Sequence, residues 1–315
     1  FNIEFFYQLF MSMRIIFMGS PEFAVAALDR LVNNGFNIVG VITATDKKGG
    51  RGNKQLIQTA VKRYALEKGL RILQPKNLKH PEFVAELRSL QADLQVVVAF
   101  RMLPEVVWNM PKIGTINLHG SLLPKYRGAA PIHWAVINGE KETGVTTFFL
   151  KHEIDTGDML LTAKMPIGPK ETTGSVHDRM MQLGAEVVLQ SVQLIQKGDY
   201  QLQAQDDSQV SKAPKLNREI CQINFDQDSQ TVFNFIRGLS PFPVAWTQFN
   251  DGELKIFRAD FERIPHQVRP GEWISDFKSY LKFATQDGFI EVLELKPQGK
   301  RKMDIKDFLN GFHPK

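Results

Sequence analysis

The sequence predicts an α/β fold over its first two thirds and a small antiparallel barrel in the remainder. Short apolar segments alternate with helical patterns from residue 13 to about residue 200, and this alternation is typical of a doubly wound, mainly parallel sheet. A polar stretch follows, and then several short segments separated by Gly, Asn and Asp, which is typical of a small barrel. A chain of 315 residues is long enough for both domains.

The strands and helices of the α/β part are predicted from the composition of each segment. The run at 94–100 is apolar enough for a central strand, and strands after 144 could be antiparallel. Strands are predicted at 14–18, 37–43, 71–73, 94–100, 114–118, 145–150 and 159–164, and helices at 23–34, 59–68, 81–90, 131–138 and 173–197.

The last third contains a short helical pattern and then strands with turn residues between them. The helix is predicted at 229–237, and strands at 244–249, 253–261, 271–275, 280–284 and 289–296. We therefore predict a catalytic domain at 13–200, a polar linker at 201–217 and a second domain at 218–315. Residues 1–12 lack the features of a signal peptide. We expect translation to start at Met11 or Met13 and set this segment aside.

Composition narrows the class of protein. No apolar run is long enough to span a bilayer. The single cysteine excludes an intrachain disulfide, and nothing in the sequence suggests a Cys-based metal site. A reducing cytoplasm is the expected compartment. The net charge of +5 and the sequence pI of about 9.1 are compatible with a polyanionic partner, and equally with an ordinary basic surface.

Two polar residues mark the end of the apolar run at 114–118. Asn117 and His119 are two positions apart, so in an extended strand their side chains face the same way. A neutral donor beside a titratable nitrogen suits a reaction that builds a negatively charged oxygen and moves a proton. The spacing alone is more common in a strand end that carries two hydrogen-bonded polar residues.

A carboxylate follows the next apolar strand. Asp155 stands in an Asp-Thr-Gly turn, where its side chain can bond to the local backbone or face a cleft. A carboxylate beside a histidine orients the ring and raises its basicity. For this segment alone, an ordinary Asx turn is the favoured explanation.

Together, the two segments resemble the folate-dependent formyltransferase family. The resemblance is carried by the pattern Asn117-x-His119-Gly-Ser-Leu-Leu-Pro and by Asp155-Thr-Gly, and it extends from Met13 to the end of the chain. It implies a Rossmann-like formyltransferase sheet domain, followed by a small OB-like barrel domain. It also implies that Asn117, His119 and Asp155 are catalytic. Asn117 would donate to the oxyanion, His119 would assist proton transfer, and Asp155 would fix the histidine tautomer or hold a water.

The resemblance implies 10-formyltetrahydrofolate as the donor. We expect its pterin to lie between two segments that flank the catalytic residues, one following the central strand and the other following His119. They comprise Phe100, Arg101, Met102 and Leu103 on one side and Ser121, Leu122, Leu123 and Pro124 on the other. The family usually has Gly at the position of Arg101, which predicts an altered pocket.

The acceptor is the point on which members of the family differ. A basic loop with a Gly-Arg-Gly core resembles the tRNA-dependent members, which implies the α-amine of methionyl-initiator tRNA as acceptor and a role in translation initiation. The expected tRNA contacts are Lys47, Lys48, Arg51 and Lys54 in this loop and Lys300, Arg301 and Lys302 near the C-terminus. The alternatives are a solvated charge run in this loop and, for the whole chain, a sugar-nucleotide N-formyltransferase. We expect no metal, because the remaining histidines form no metal-binding pattern, and we expect a monomer.

Overall fold

A computed structural model describes residues 13–49, 55–250 and 252–311. Residues 1–12, including the proposed start at Met11, lie outside these ranges. The chain divides into two compact units that interleave along the sequence. The first unit comprises the chain up to Arg127 together with 144–164 and 178–212, and the second comprises 128–143, 165–177 and the chain from Ala213.

Strands and helices alternate along most of the chain. The first segment contains β1 (Arg14–Gly19), α1 (Glu22–Asn33), β2 (Asn37–Ile42), β3 (Lys47–Gly49), β4 (Gln55–Ile57), α2 (Ala60–Glu67), β5 (Ile72–Leu73), α3 (Pro81–Ser89), β6 (Leu94–Val98), α4 (Glu105–Trp108) and β7 (Gly114–His119). The middle segment contains β8 (Arg127–Gly128), α5 (Pro131–Ile137), β9 (Glu142–Phe149), β10 (Met159–Pro166), α6 (Thr173–Lys197), a 3-10 helix (Asp207–Gln209) and β11 (Lys212–Ala213). The last contains α7 (Ser229–Gly238), β12 (Ala245–Phe249), β13 (Gly252–Arg263), β14 (Trp273–Ser275), β15 (Leu281–Ala284), β16 (Gly288–Pro297), β17 (Met303–Asp304) and α8 (Ile305–Asn310).

The first unit is built on a seven-stranded sheet with the order β10-β9-β7-β6-β1-β2-β5. The five strands from β7 to β5 are parallel, and β9 is antiparallel to β7. Central strand β1 is apolar on both faces, and Ile15, Phe17 and Met18 are fully buried, because a parallel strand inside an α/β layer has no solvent face. The carboxyl ends of β6 and β7 meet at one edge of the sheet, where ligands of such folds bind.

The second unit contains an antiparallel sheet with the order β12-β13-β16-β15-β14, and β17 pairs with β16. Its core is aromatic: the rings of Phe225 and Phe283 stack with centroids 4.9 Å apart. Helix α7 packs on this core. Its N-cap residue is Asp228, whose side chain accepts a hydrogen bond from the Thr231 amide.

The predicted fold class is confirmed, since a mainly parallel sheet and an antiparallel, open barrel-like sheet are both present. Most predicted elements lie within a few residues of the observed ones. One prediction is wrong in part: the basic segment around the Gly-Arg-Gly core was predicted as a loop, but Lys47–Gly49 pairs with Gln55–Ile57 as antiparallel strands, and residues 50–54 lie outside the described residues. Short helices α4 and α8 were not predicted. The division at 201–217 stays a proposal, and the first half of that segment pairs with the first unit through Gln203.

Candidate active site

Strand β7 delivers the two predicted polar residues to the carboxyl edge of the sheet. Asn117 lies between Val97 of β6 and Phe148 of β9, and His119 lies opposite Thr146 of β9. Asn117 is half-buried, and His119 is only 5% exposed. Because the two residues are separated by one position on a strand, both side chains lie on the same face of the sheet.

The imidazole of His119 is held by a backbone carbonyl. Its Nε2 lies 2.8 Å from the Tyr126 carbonyl oxygen, and since a carbonyl can only accept, Nε2 must carry the proton that is donated. Tyr126 has a left-handed backbone (φ +60°), and its amide donates to Ser211 Oγ at 2.9 Å. The hydrogen bond to Tyr126 therefore leaves Nδ1 as the nitrogen that is free to exchange a proton.

Asp155 lies on the Nδ1 side of this ring. The distance from His119 Nδ1 to Asp155 Oδ2 is 3.8 Å, with side-chain exposures of 6% and 12%. This separation is too long for a hydrogen bond but short enough for an ion pair when the imidazole is protonated. The Tyr126 carbonyl thus accepts from the protonated Nε2, and the Asp155 carboxylate lies beside Nδ1. The role of Asp155, to fix the tautomer or to hold a water, stays a prediction.

The turn that carries Asp155 is tightly built. Asp155 has a left-handed backbone (φ +57°), a conformation that Asp adopts more readily than most residues. A Cβ at Gly157 would overlap the Phe149 carbonyl oxygen, so only glycine fits there. The Gln205 side-chain amide donates to the carbonyls of Asp155 and Gly157, both at 2.8 Å. The turn is thus fixed against β9 on one side and against Gln205 on the other.

The first predicted folate segment leaves the sheet beside β7. Val98, the last residue of β6, pairs with Leu118, so the segment from Phe100 to Leu103 starts at the same edge as His119. Met102 is 73% exposed, whereas Leu103 is buried. The segment therefore presents an exposed apolar side chain at this edge of the sheet, and its role as a pterin wall stays a prediction.

Arg101, the residue expected to alter this pocket, forms hydrogen bonds with residues 75–76. Its guanidinium donates to the carbonyls of Lys76 at 3.0 Å and Pro75 at 2.5 Å, and it lies 5.7 Å from the centroid of the Phe100 ring. These contacts direct the guanidinium to residues 75–76.

The second predicted folate segment, from Ser121 to Pro124, folds back over β9. Thr146 Oγ1 donates to the Ser121 carbonyl at 2.8 Å and accepts from the Leu123 amide at 3.2 Å. Leu123 packs against Phe148 and Met159, and Leu122 is half-buried. Since Thr146 also lies opposite His119 in the sheet, this loop is held beside the histidine.

Two of the predicted tRNA residues of the first unit lie on strand β3. Lys47 and Lys48 are exposed on β3, whereas Arg51 and Lys54 lie outside the described residues. Asp46, immediately before β3, accepts from Gln74 at 2.9 Å and from Lys62 at 2.6 Å. These two hydrogen bonds lower the pKa of Asp46, so the start of β3 is anchored by a carboxylate.

The predicted tRNA residues of the second unit differ in whether their charge is paired. Lys300 and Arg301 are exposed in the turn after β16, and neither forms an ion pair within residues 13–49, 55–250 and 252–311. Lys302 instead pairs with Glu294 at 3.1 Å and lies over the Phe257 ring. Its charge is therefore partly neutralised, which weakens the prediction for this residue.

The sequence analysis did not identify every residue that holds the site. Tyr126 lies two residues after the quoted motif, and its contact with His119 is made by a backbone carbonyl, which side-chain chemistry does not reveal. Thr146 carried no signal beyond strand propensity, and Gln205 lies in a polar stretch that was assigned to the linker. Among the described residues, no helix is both long and apolar enough to cross a membrane.

With this geometry in place, comparison with known families defines the class of protein. The formyl transferase family matches residues 13–192, and the formyl transferase C-terminal domain matches residues 215–313. The chain therefore belongs to the formyl transferase family.

Relatives from several bacteria bear one particular name, methionyl-tRNA formyltransferase. The Bacteroides fragilis protein is 49% identical over 312 residues, which cover 96% of this chain and 95% of its own. The Flavobacterium johnsoniae protein is 49% identical over 304 residues, covering 95% of this chain and 96% of its own.

Solved structures share the fold at much lower identity. The N-formyltransferase of Helicobacter canadensis, in complex with folinic acid and dTDP-3-aminofucose, has a TM-score of 0.68 at 20% identity and covers 92% of this chain and all of its own. HypX from Aquifex aeolicus, in complex with tetrahydrofolic acid, has a TM-score of 0.64 at 20% identity and covers 95% of this chain and 48% of its own. At these identities the likeness shows the fold alone.

Proposed function

We propose that this protein transfers the formyl group of 10-formyltetrahydrofolate to the α-amino group of methionyl-initiator tRNA and so supports translation initiation. The observation that carries the proposal is the meeting of Asn117, His119 and Asp155 at the carboxyl edge of β7. Relatives 49% identical over nearly the whole chain bear the name of this activity, which supports the acceptor. The expectations of a cytoplasmic, monomeric enzyme remain part of the proposal.

In the first step, the amine nitrogen attacks the formyl carbon, and the carbonyl becomes an oxyanion. In the described ranges the side-chain amide of Asn117 makes no hydrogen bond to another residue, so its Nδ2–H groups are available to this oxygen. Removing one such donor from an acyl-transfer site typically slows the reaction by about 100- to 1000-fold. Asn117 is therefore proposed as the oxyanion donor.

In the second step, the bond between the formyl carbon and folate N10 breaks. The proton lost by the attacking amine passes to His119 Nδ1, directly or through a water held by Asp155, and then to N10 as the leaving group departs. The imidazolium formed between these transfers lies 3.8 Å from the Asp155 carboxylate, which stabilises it. The Nε2–H stays on the Tyr126 carbonyl throughout.

The donor would lie between the two segments that flank His119. Phe100, Met102 and Leu103 would form one apolar side and Ser121–Pro124 the other, with backbone groups available to the pterin. Two solved structures that share this fold, one with tetrahydrofolic acid and one with folinic acid, support a folate here. Arg101 would shape the entrance from its position over residues 75–76.

The acceptor would be held through its phosphates and its single-stranded end. Lys47 and Lys48 would contact the acceptor arm, together with Arg51 and Lys54, which lie outside the described residues. Lys300 and Arg301 would add sequence-independent attraction, and Lys302 less, because it pairs with Glu294. The polar segment at 201–217 would separate the catalytic domain from this second binding region.

The test identifies the acceptor directly. The full chain is incubated with 10-formyltetrahydrofolate and methionyl-tRNA, and the esterified amino acid is analysed by mass spectrometry after one turnover. Formyl-methionine on the initiator tRNA is expected, and the His119→Ala variant should make none while still binding the tRNA. A matched reaction with an amino-sugar nucleotide tests the alternative. Formylation of the sugar without formylation of the tRNA would reject the proposal.

A further inference from the structure

We propose that Gln205 is a positioning residue for formyl transfer, because it holds the Asp155 turn in the conformation that turns the carboxylate towards His119. The inference rests on the proposed function, in which Asp155 stabilises the imidazolium. It adds to the site a residue that lies 50 positions further along the chain.

The side-chain amide of Gln205 forms hydrogen bonds through both its nitrogen and its oxygen. Its Nε2 donates to the carbonyls of Asp155 and Gly157, each at 2.8 Å. Its Oε1 accepts from Arg127 Nε at 2.9 Å and Nη2 at 2.7 Å. Because arginine can only donate and carbonyls can only accept, these four contacts permit a single orientation of the amide. Gln205 thus links the Arg127 guanidinium to the turn that carries Asp155.

The turn needs such a partner. Asp155 has a left-handed backbone, which disfavours most residues and is retained only where neighbouring groups hold it. Two carbonyls two residues apart face the same side chain, so a loss of the Gln205 amide would leave both without that donor. The backbone would then be free to rotate, and the carboxylate would move with it.

The same segment also supports the histidine. Gln203 pairs through its backbone with Met159 on β10, at 2.8 and 2.9 Å. Ser211 accepts from the Tyr126 amide, and the Tyr126 carbonyl holds His119. The stretch from Gln203 to Ser211 therefore braces both halves of the charge pair, and Gln205 is the side chain that contacts the carboxylate turn.

The test uses an isosteric variant. Gln205→Glu keeps the contact with Arg127 but replaces the donor with an oxygen that repels the Asp155 and Gly157 carbonyls. We expect kcat to fall by about 10- to 100-fold, as for a misplaced catalytic group. KM for the folate and for methionyl-tRNA should stay within about twofold, because Gln205 is not among the residues proposed to bind either substrate. Gln205→Ala should give a loss of the same kind without added charge.

The matched control is Gln203→Glu, which makes the same chemical change two residues away. The Gln203 side chain is exposed, and the structure uses only its backbone, so kcat should be unchanged. Thermal unfolding of the three variants checks that each is folded at the assay temperature.

The inference would be overturned if both Gln205 variants kept the wild-type kcat, or if only their KM values changed. It would also be overturned if kcat fell equally in Gln203→Glu. A wild-type enzyme that formylates a different amine would overturn the proposed acceptor alone, because the same comparison of kcat can be made with that amine.

Discussion

Replacing Asp155 with Asn is expected to slow formyl transfer by about 100- to 1000-fold. The carboxylate lies 3.8 Å from Nδ1 of His119, and unit charges at that separation attract by about 4 kcal/mol at an effective dielectric of 20. Desolvation of the buried pair offsets part of this energy. About 3 to 4 kcal/mol of lost stabilisation corresponds to the expected range, since each 1.36 kcal/mol is a factor of ten in rate. Asn preserves the shape of the side chain and tolerates the left-handed backbone.

The assay is a single-turnover reaction with enzyme in excess over methionyl-tRNA, quenched with acid and analysed for formyl-methionine. The matched control is Asp158→Asn, in the same turn. The Asp158 carboxylate pairs with Lys151 at 2.9 Å and does not contact His119 in the described structure, so its rate should stay within about twofold of wild type. An Asp155→Asn rate within about threefold of wild type would refute the electrostatic argument.

Three further predictions concern other parts of the molecule. Asn117→Ala should lower kcat by about 100- to 1000-fold with little change in KM, and a change confined to KM in steady-state assays would contradict its role as oxyanion donor. Lys47→Ala and Lys48→Ala should each raise KM for tRNA but not for folate, and reduce the salt dependence of tRNA binding by about one counterion per lost phosphate contact; an unchanged salt slope would contradict that contact. Asp228→Ala should lower the free energy of unfolding at pH 7 by about 1 kcal/mol, because Asp228 caps α7. The Thr231 hydrogen bonds lower the pKa of Asp228 in the folded state, so this deficit should shrink as pH falls below about 4, and urea unfolding that gives an equal deficit at pH 3 would contradict the capping argument.

The architecture of this chain is strongly encoded in its local pattern. Strand β6 is a run of buried apolar residues, and the helix at 173–197 was predicted with its observed bounds, because hydrophobic periodicity depends on neighbours within a few positions. Strand β6 ends at Val98, two residues before the predicted end, because Ala99 has a left-handed backbone. The pairing of β3 with β4 was missed because two strands of three mostly exposed residues have no periodic hydrophobic pattern.

Only part of the site was predicted from the sequence, and there is a physical reason why the rest was not. Asn117 and His119 are separated by one residue on a strand, so their shared face follows from strand geometry. The approach of Asp155 to the ring was expected from the family resemblance, whereas its 3.8 Å spacing depends on Gln205 and Gly157. Contacts between a side chain and a distant carbonyl leave no trace in local composition, which is why the support of the turn became visible only in three dimensions.

The most direct test of the central claim is the structure of this protein with bound 5-formyltetrahydrofolate, a stable relative of the proposed donor. The claim is that Asn117 and His119 converge on the carbon that is transferred. It predicts that Asn117 Nδ2 and His119 Nδ1 both lie within about 4 Å of folate N10 or of the space where its formyl group would stand. A folate seated so that N10 is beyond the reach of both side chains would contradict it.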